Sequence, residues 1–312
     1  MEHVLAIVAP GQGAQTPGFL APWLQDSHFA TRLRELSDVV GLDLVHYGTE
    51  ADAETIKDTA VAQPLLVAAG LLAGEALTRS IPFTGVDVLA GHSVGEVTAA
   101  AAAGVLTGDD AIVFVRERAN GMAEASALTP TTMAAVVRGE PDAVLAAIEA
   151  VGATAANNNG AGQIVAAGTV EQVDALKANP PEKARVIGLS VAGAFHTEHM
   201  EPSRVRVAEA ASGMTAHEPS TTLLSNRDGQ AVDSGTAYVA RLVDQVTSPV
   251  RWDLCMATMV ELGVTGILEL PPAGTLTGIA KRNMPGVELF NLNTPDQIDD
   301  AREFVSRHSG KA

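Results

Sequence analysis

The sequence is poor in cysteine, in aromatic residues and in basic charge. Its 312 residues include one cysteine, Cys255, which excludes an intrachain disulfide framework. Because the nearby Trp252, Met256 and Met259 are apolar, we expect Cys255 to be a buried structural thiol on a core helix. Lysine and arginine together number 20 against 37 acidic residues, and the net charge is −17. This charge argues against a nucleic-acid or anionic-membrane partner bound through bulk electrostatics.

The sequence also lacks targeting and cofactor signals. We expect no membrane span, because no segment approaches the length of one, and MEHVLAIVAP (1–10) lacks the basic run of a signal peptide. No metal-ligand cluster appears, and the glycine-rich GQGAQ (11–15) lacks the lysine of a phosphate-binding loop. These absences predict a cytoplasmic enzyme without a metal or a cofactor.

Short apolar runs alternate with helical patterns along much of the chain. VLAIVA (4–9) and VDVLAG (86–91) are typical of buried strands, whereas residues 61–78 and 94–104 have helical periodicity. Two later runs, TTLLSN (221–226) and VTGILEL (264–270), are predicted as further strands. Strands that alternate with helices predict an α/β fold with a mostly parallel sheet covered on both faces.

The middle of the chain has a different order of elements. The pattern predicts strand 132–137, helix 141–151, strands 153–158 and 163–168, helix 170–178 and strand 184–191. This β-α-β-β-α-β order is that of a ferredoxin-like unit. We therefore predict a large domain of residues 1–127 and 192–312, with residues 128–191 inserted as a small subdomain.

GHSVGE (91–96) places Ser93 between two glycines, after a predicted strand and before a predicted helix. The segment fits the G-x-S-x-G nucleophile elbow, in which a tight turn exposes the serine. At the N-terminus of the helix, backbone N–H groups and the helix dipole stabilise an oxyanion. The motif alone is weak evidence, and a helix N-cap is the alternative role for Ser93.

A nucleophilic serine needs a general base, and three histidines compete for that role. His92 adjoins Ser93, but neighbouring side chains on a strand or a sharp turn point apart. His196 lies where the small subdomain rejoins the large one, and clefts between domains favour sites. His199 lies three residues further on, and the order of residues alone does not exclude it.

Six motifs that occur together and in order carry a resemblance to a known family. They are GQGAQ (11–15), GHSVGE (91–96), Arg118 four residues before Met122, GAFH (193–196), SPVRW (248–252) and LTGIAKR (276–282). From residue 3 to about residue 298, the chain resembles the malonyl-CoA:acyl carrier protein transacylases that load fatty-acid and polyketide synthases. The resemblance implies an α/β-hydrolase-like core with a ferredoxin-like subdomain.

The resemblance also implies an activity and a role for each matching residue. A malonyl group would pass from malonyl-CoA to the phosphopantetheine thiol of an acyl carrier protein by a ping-pong mechanism, with the enzyme a monomer. Ser93 would carry the malonyl group, and His196 would act as general base and then as acid. The other implied roles belong to Gln12 and Val94 (oxyanion hole, backbone N–H), Arg118 (malonyl carboxylate), Gln63 (near the active site), Phe195 (exclusion of a branching methyl) and Gln245 (backbone carbonyl that orients His196).

General chemistry agrees with these roles. A covalent intermediate lets one pocket serve two carriers in turn. A guanidinium holds a carboxylate through two parallel hydrogen bonds, so an acetyl group would leave Arg118 unpaired. Local sequence alone favours an exposed helical arginine at this position, next to Arg116 and Glu117, and the family pattern reverses that preference.

Acyl carrier proteins are acidic, so the charge of this chain opposes their approach. We therefore predict a local basic surface near the cleft, and ordinary solubilising charge is the alternative role for its residues. The candidates are Lys183, Arg185, Arg251, Lys281 and Arg282.

The sequence alone leaves two other functions possible, and it departs from the family pattern at one segment. A serine hydrolase would usually need an acidic residue between Ser93 and His196 to orient the histidine, and no acid there stands in a suggestive motif. A carrier-binding scaffold without activity is disfavoured by the intact Ser93, His196 and Arg118. ELPPAG (269–274) stands where the family usually has a more glycine-rich turn, which leaves the local backbone open.

Overall fold

The computed structural model describes residues 3–310. Within that range the strands, in chain order, are β1 Leu5–Ala9, β2 Val88–Gly91, β3 Thr131–Arg138, β4 Thr154–Asn158, β5 Gln163–Thr169, β6 Ala184–Gly188, β7 Thr222–Leu223, β8 Val250–Arg251, β9 Gly266–Glu269 and β10 Glu288–Asn291. The α-helices of the same range are α1 Ser27–Val40, α2 Leu44–Thr49, α3 Thr59–Thr78, α4 Gly95–Ala102, α5 Gly108–Leu128, α6 Pro141–Ala150, α7 Val170–Ala178, α8 Glu201–Ser212, α9 Gly235–Asp244, α10 Trp252–Glu261, α11 Thr275–Asn283 and α12 Ile298–His308.

The first sheet is parallel and has the strand order β10-β9-β1-β2-β7. Every residue of β1 and β2 is buried, as expected for central parallel strands with both faces covered. The pairing of Ala9 with Gly91 brings the carboxyl ends of β1 and β2 side by side. The predicted α/β fold with a mostly parallel sheet is therefore confirmed.

The second sheet has the order β6-β3-β5-β4-β8, and its first four strands pair antiparallel. Those strands and the two helices between them follow the predicted order β3-α6-β4-β5-α7-β6. The fifth strand, β8, comes from far along the chain and pairs parallel with β4. The second sheet therefore includes two residues from outside the segment 128–191.

The expectation that no segment approaches the length of a membrane span is wrong for α3. This helix has 20 residues, and it is long and apolar enough to cross a membrane by length and composition alone. In the structure, 83% of its most apolar 18-residue window is buried inside the protein. The apolar length of α3 is explained by its position in the core, where α1, α4 and α5 pack around it.

Cys255 lies buried on α10, as expected from its apolar neighbours. Its Sγ lies 3.5 Å from the backbone oxygen of Ser225, and burial raises the pKa of the thiol. A thiol in this setting stays protonated at neutral pH, so it is a poor nucleophile.

Candidate active site

The turn between β2 and α4 holds Ser93 in a strained backbone conformation. Its φ is +53°, in the left-handed region that side-chain-bearing residues rarely adopt. A Cβ at Gly91 would overlap the backbone of Gly95, and a Cβ at Gly95 would overlap the carbonyl oxygen of Ala9. Only glycine therefore fits on either side of the turn, which explains the spacing of the motif and places Ser93 at the N-terminal end of α4.

Ser93 and His196 are in direct contact. Ser93 Oγ lies 2.7 Å from His196 Nε2, and His196 Nδ1 lies 2.8 Å from the backbone oxygen of Gln245. Because a carbonyl oxygen only accepts, Nδ1 carries the proton and Nε2 is left to accept the proton of Ser93. Burial, with a further contribution from the charge of Arg118, lowers the pKa of His196 to about 3. The imidazole is therefore neutral at physiological pH, as a general base must be.

The other two candidate histidines lie apart from the serine hydroxyl. His92 lines the same cleft, but its Nε2 lies 2.9 Å from Asn159 Oδ1 and its ring meets Trp252 edge to face. His199 lies in a short 3-10 turn, where its N–H donates to Thr197 Oγ1. The structure thus brings His196, and neither neighbour, to Ser93.

Two backbone N–H groups beside Ser93 are available as donors. Within residues 3–310, neither the N–H of Gln12 nor that of Val94 donates to another group of the protein. The N–H of Ser93 itself donates to Asn226 Oδ1 at 2.8 Å, so it is already occupied. Gln12 follows β1 and lines the cleft, whereas Val94 precedes the first turn of α4. These are the N–H groups assigned to the oxyanion hole from the sequence.

Arg118 on α5 is buried beside the serine. Only 1% of its surface is exposed, and its Nη2 donates to Ser93 Oγ at 3.3 Å and to Gln245 Oε1 at 2.7 Å. Its Nη1 donates to Gln63 Oε1 at 2.6 Å. Burial lowers the pKa of the guanidinium to about 10, so it stays charged at neutral pH.

This buried cation lacks a direct counter-ion in the described part of the chain. No carboxylate there lies within salt-bridge distance of Arg118, and its Nε has no hydrogen-bond partner. A buried charge without a partner is costly, so it marks a position that an anionic ligand would stabilise. The exposed setting that local sequence favours for Arg118 is wrong, because α5 packs against α3 and α8.

A cleft of about 240 Å³ opens above these groups. Ser93, His196 and Gln63 line one side, and Met133 and Val165 of the second sheet line the other. Phe195 also lines the cleft and is 6% exposed. The reactive pair therefore lies in a cleft that residues of both predicted domains line, and its volume admits a small acyl group.

The ELPPAG segment has a structural role that the sequence left open. The carboxylate of Glu269 accepts hydrogen bonds from the N–H groups of Gly274 at 2.9 Å, Leu276 at 3.0 Å and Thr277 at 2.8 Å. It thereby caps the first turn of α11 and suits the positive end of the helix dipole. Since Leu276 and Ile279 of α11 line the cleft, Glu269 fixes one cleft wall.

A group of residues behind the serine was not predicted from the sequence. These are Glu96, Asn226 and Tyr238, which join the side chain of Gln245 in a buried hydrogen-bond network. Two features of the sequence could have indicated these residues. Glu96 lies inside the GHSVGE motif. Asn226 follows β7 by three residues, and sites in open parallel sheets form at the carboxyl ends of strands.

The fold and the serine–histidine pair define an acyl transferase. Residues 7–297 match the family described as the acyl transferase domain, and the chain belongs to that family. The resemblance inferred from the six sequence motifs is thereby confirmed.

Several proteins that are similar to this chain over nearly its full length are named as malonyl transacylases. It is 50% identical to the malonyl CoA-acyl carrier protein transacylase of Mycobacterium tuberculosis over 298 residues, which are 95% of this chain and 99% of that protein. A crystal structure of that organism's transacylase superimposes with a TM-score of 0.93, covering 96% of this chain and 100% of the other at 50% identity. A malonyl-transacylase solved with the holo acyl carrier protein of a type II polyketide system has a TM-score of 0.88 at 29% identity, covering 96% of this chain and 99% of the other.

Proposed function

We propose that this chain transfers a malonyl group from malonyl-CoA to the phosphopantetheine thiol of a holo-acyl carrier protein. One observation carries the proposal: the buried guanidinium of Arg118, without a direct counter-ion in the described chain, lies 3.3 Å from the nucleophilic Ser93 Oγ. An acyl group that ends in a carboxylate would supply the missing negative charge. The names of the relatives support malonyl as that group, and the solved carrier complex supports an acyl carrier protein as the acceptor.

In the first half-reaction Ser93 becomes a malonyl ester. His196 Nε2 takes the hydroxyl proton of Ser93 while Oγ attacks the thioester carbonyl carbon. The N–H groups of Gln12 and Val94 stabilise the resulting oxyanion, at roughly 10²- to 10³-fold in rate per donor. When the tetrahedral intermediate collapses, the C–S bond breaks and the proton on His196 passes to the thiolate of coenzyme A.

The second half-reaction reverses these steps with a different thiol. The carrier thiol gives its proton to His196 and attacks the ester carbonyl. The C–O bond breaks, and Ser93 Oγ recovers the proton from His196. Because the overall reaction consumes one thioester and forms another, it needs no external energy source. The backbone oxygen of Gln245 keeps Nδ1 protonated throughout, so Nε2 always faces Ser93.

A labelled-substrate assay tests this function. Radiolabelled malonyl-CoA is incubated with the protein, with and without holo-acyl carrier protein, and label is followed on carrier and in free malonate. We expect label on the carrier, and none when Ser93→Ala replaces the wild type. Malonate released at the same rate with or without carrier would instead identify a serine hydrolase. The absence of both labelled carrier and labelled malonate would identify a scaffold.

Phe195 is proposed to limit the size of the acyl group. Its ring lies in the cleft just before His196, where a branching methyl would need space. In a competition assay, Phe195→Ser should raise kcat/KM for methylmalonyl-CoA relative to malonyl-CoA by about tenfold, the usual effect of one methyl group in a pocket. Phe195→Leu, which keeps more bulk, should shift the ratio less. A ratio unchanged in both variants would assign Phe195 to core packing alone.

The carrier is proposed to dock on basic residues at the mouth of the cleft. Lys281 and Arg282 end α11, and Lys183 and Arg185 lie at β6; all four side chains are exposed. Arg251 is a weaker candidate because Asp253 accepts from its guanidinium at 2.7 Å and 2.9 Å. Both α11 and the segment after β6 supply residues to the cleft wall, through Ile279 and Leu189.

Charge reversal tests the docking surface. Lys183→Glu with Arg185→Glu should raise KM for the carrier several-fold, because an acidic partner is steered by opposite charge. The rate at which Ser93 is acylated by malonyl-CoA should not change. Arg34→Glu, an exposed site on α1, is the matched control. An unchanged carrier KM in the double variant would refute this surface.

The proposal also includes the domain organisation of the chain. We propose an α/β-hydrolase-like core of residues 1–127 and 192–312 with a ferredoxin-like subdomain of residues 128–191. The antiparallel order β6-β3-β5-β4 supports the second description. The steps above use only groups of the protein, so we propose no metal or cofactor. We further propose a cytoplasmic monomer that acts on neither nucleic acid nor membranes.

A further inference from the structure

Glu96 is a buried carboxylate that the proposed steps do not use. It is the last residue of GHSVGE, lies in the first turn of α4 and is 2% exposed. Its Oε1 accepts from the N–H of Asn226 at 2.7 Å and from Tyr238 Oη at 3.3 Å. Its Oε2 accepts from Gln245 Nε2. A carboxylate this deep in the protein needs a reason, because burial of its charge is costly.

Two partners of Glu96 connect it to the reacting groups. Asn226 Oδ1 accepts from the N–H of Ser93 at 2.8 Å, and Asn226 Nδ2 donates to the backbone oxygen of Gly91 at 2.7 Å. Asn226 therefore holds both sides of the strained turn at Ser93. The route from Glu96 to the nucleophile passes through one residue.

The second connection runs through Gln245. Its side-chain Oε1 accepts from Arg118 Nη2 at 2.7 Å, and its backbone oxygen accepts from His196 Nδ1 at 2.8 Å. Its Nε2 donates to Glu96 and also to the backbone oxygen of Ser93 at 3.0 Å. One glutamine thus contacts the nucleophile, the base and the malonyl-binding cation, and Glu96 holds its amide.

The directions of these hydrogen bonds require an acceptor at both oxygens of Glu96. Arg118 only donates, so the oxygen of the Gln245 amide faces Arg118 and its NH₂ group faces Glu96. The N–H of Asn226 also only donates. In Glu96→Gln, the amide NH₂ group at position 96 would face a second donor, either the NH₂ group of Gln245 or the N–H of Asn226. If the Gln245 amide flipped to avoid this conflict, its own NH₂ group would face the donors of Arg118. Only a carboxylate satisfies all of these donors.

We propose that Glu96 is a positioning residue for acyl transfer. Its carboxylate fixes the direction of the Gln245 amide, and thereby the guanidinium of Arg118 and the turn that carries Ser93. This inference rests on the proposed function, because its effect is read in the acylation of Ser93.

Protonation of Glu96 gives the network a pH dependence. Burial raises the pKa of Glu96 to about 7, against hydrogen bonds from Asn226, Gln245 and Tyr238 and the charge of Arg118, which lower it. The other ionisable groups that face Glu96 are Tyr238 on α9 and Cys255 on α10, and burial raises the pKa of both, so they stay neutral.

The remaining charged groups near Glu96 lie toward the surface. Arg227, Arg241 and Asp244 line a small space that also contacts Glu96 and Gln245. Above pH 7 the carboxylate is ionised and the network is complete, whereas below pH 7 it gains a proton and loses an acceptor. Burial lowers the pKa of His196 to about 3, well below that of Glu96, so we expect His196 to stay neutral between pH 5 and pH 7. Loss of acylation in that interval is therefore a signature of Glu96.

The test is single-turnover acylation of Ser93 by malonyl-CoA between pH 5 and pH 8.5, without a carrier. At pH 8, Glu96→Gln should lower the acylation rate by roughly 10- to 100-fold, because a misplacement of a reacting group by about 1 Å costs up to about 10²-fold. Its rate should not vary with pH in this range. Glu96→Asp keeps the charge and should be faster than Glu96→Gln, with the acidic decline retained. Glu149→Gln makes the same change at an exposed position on α6, away from the network, so it should keep the wild-type rate and pH profile.

A purely structural role predicts the opposite order. Gln matches the shape of Glu, so packing alone would leave Glu96→Gln faster than Glu96→Asp. That order, or an acidic decline that persists in Glu96→Gln, would overturn the inference, as would a wild-type rate that is flat across pH 7. Circular dichroism establishes that each variant is folded, and the wild-type profile tests the inference even where a variant is not. Wild-type protein that fails to acylate at all would overturn the proposed function as well.

Discussion

Replacing Ser93 by alanine should lower the rate of malonyl transfer by about 10⁴- to 10⁶-fold, and adding His196→Ala should lower it little further. The two side chains share one hydrogen bond of 2.7 Å and act in one step, so the loss of either removes the same activated nucleophile. What remains in each variant is binding and oxyanion stabilisation by Gln12 and Val94, which slightly accelerate direct attack by a thiol or by water.

This prediction is checked by steady-state transfer rates of both single variants and the double variant. His199→Ala is the control, because His199 lies near His196 in sequence but bonds only within its own turn. We expect that control to keep close to the wild-type rate. Losses that multiply in the double variant would show that Ser93 and His196 act independently, which would contradict the proposed mechanism.

Replacing Arg118 by alanine should lower kcat/KM for malonyl-CoA by about 10²- to 10³-fold, or about 3 to 4 kcal/mol of transition-state stabilisation. Within residues 3–310, the buried guanidinium of Arg118 is the cationic group in contact with Ser93 Oγ, and it offers a full positive charge to the malonyl carboxylate. An acetyl group has no charge to pair, so its transfer should fall much less. The ratio of malonyl to acetyl kcat/KM should therefore approach one.

The ratio matters because Arg118 also has a structural part. It donates to Gln63 and Gln245, and loss of those hydrogen bonds disturbs both substrates alike. Arg118→Lys keeps a charge but not the planar pair of donors, so it should recover only part of the selectivity. Equal losses for malonyl-CoA and acetyl-CoA in Arg118→Ala would show that the arginine supports the fold of the site and does not bind the carboxylate.

The sequence predicted those parts of the fold that depend on local pattern. Apolar strands such as β1 and helices such as α3 have patterns that are set by burial on both faces. Short strands were missed or overextended because pairing, and not propensity, defines them. β8 has two residues and exists only because β4 lies beside it, and the predicted strand 221–226 shrinks to the two residues of β7.

The candidate site, too, was only partly predictable from the sequence. Ser93 was found because its turn demands glycines at fixed positions. His196 was favoured by its place at the junction of the two predicted domains, but the residues alone left His199 open and the family resemblance made the choice. Asn226 lies 133 residues from Ser93, and Gln245 lies 149 residues from Glu96, so no spacing rule connects them. Their contacts follow from how the parallel sheet brings the ends of β2 and β7 together, which periodicity does not encode.

Ser93 is proposed to carry a malonyl ester because Arg118 pairs with the malonyl carboxylate. The most direct measurement is the intact mass and peptide map of the protein after incubation with malonyl-CoA alone. We predict one malonyl adduct, on the peptide that contains Ser93, absent in Ser93→Ala and far less abundant when acetyl-CoA replaces malonyl-CoA at the same concentration and time. An adduct on another residue, or equal labelling by acetyl-CoA, would contradict the claim.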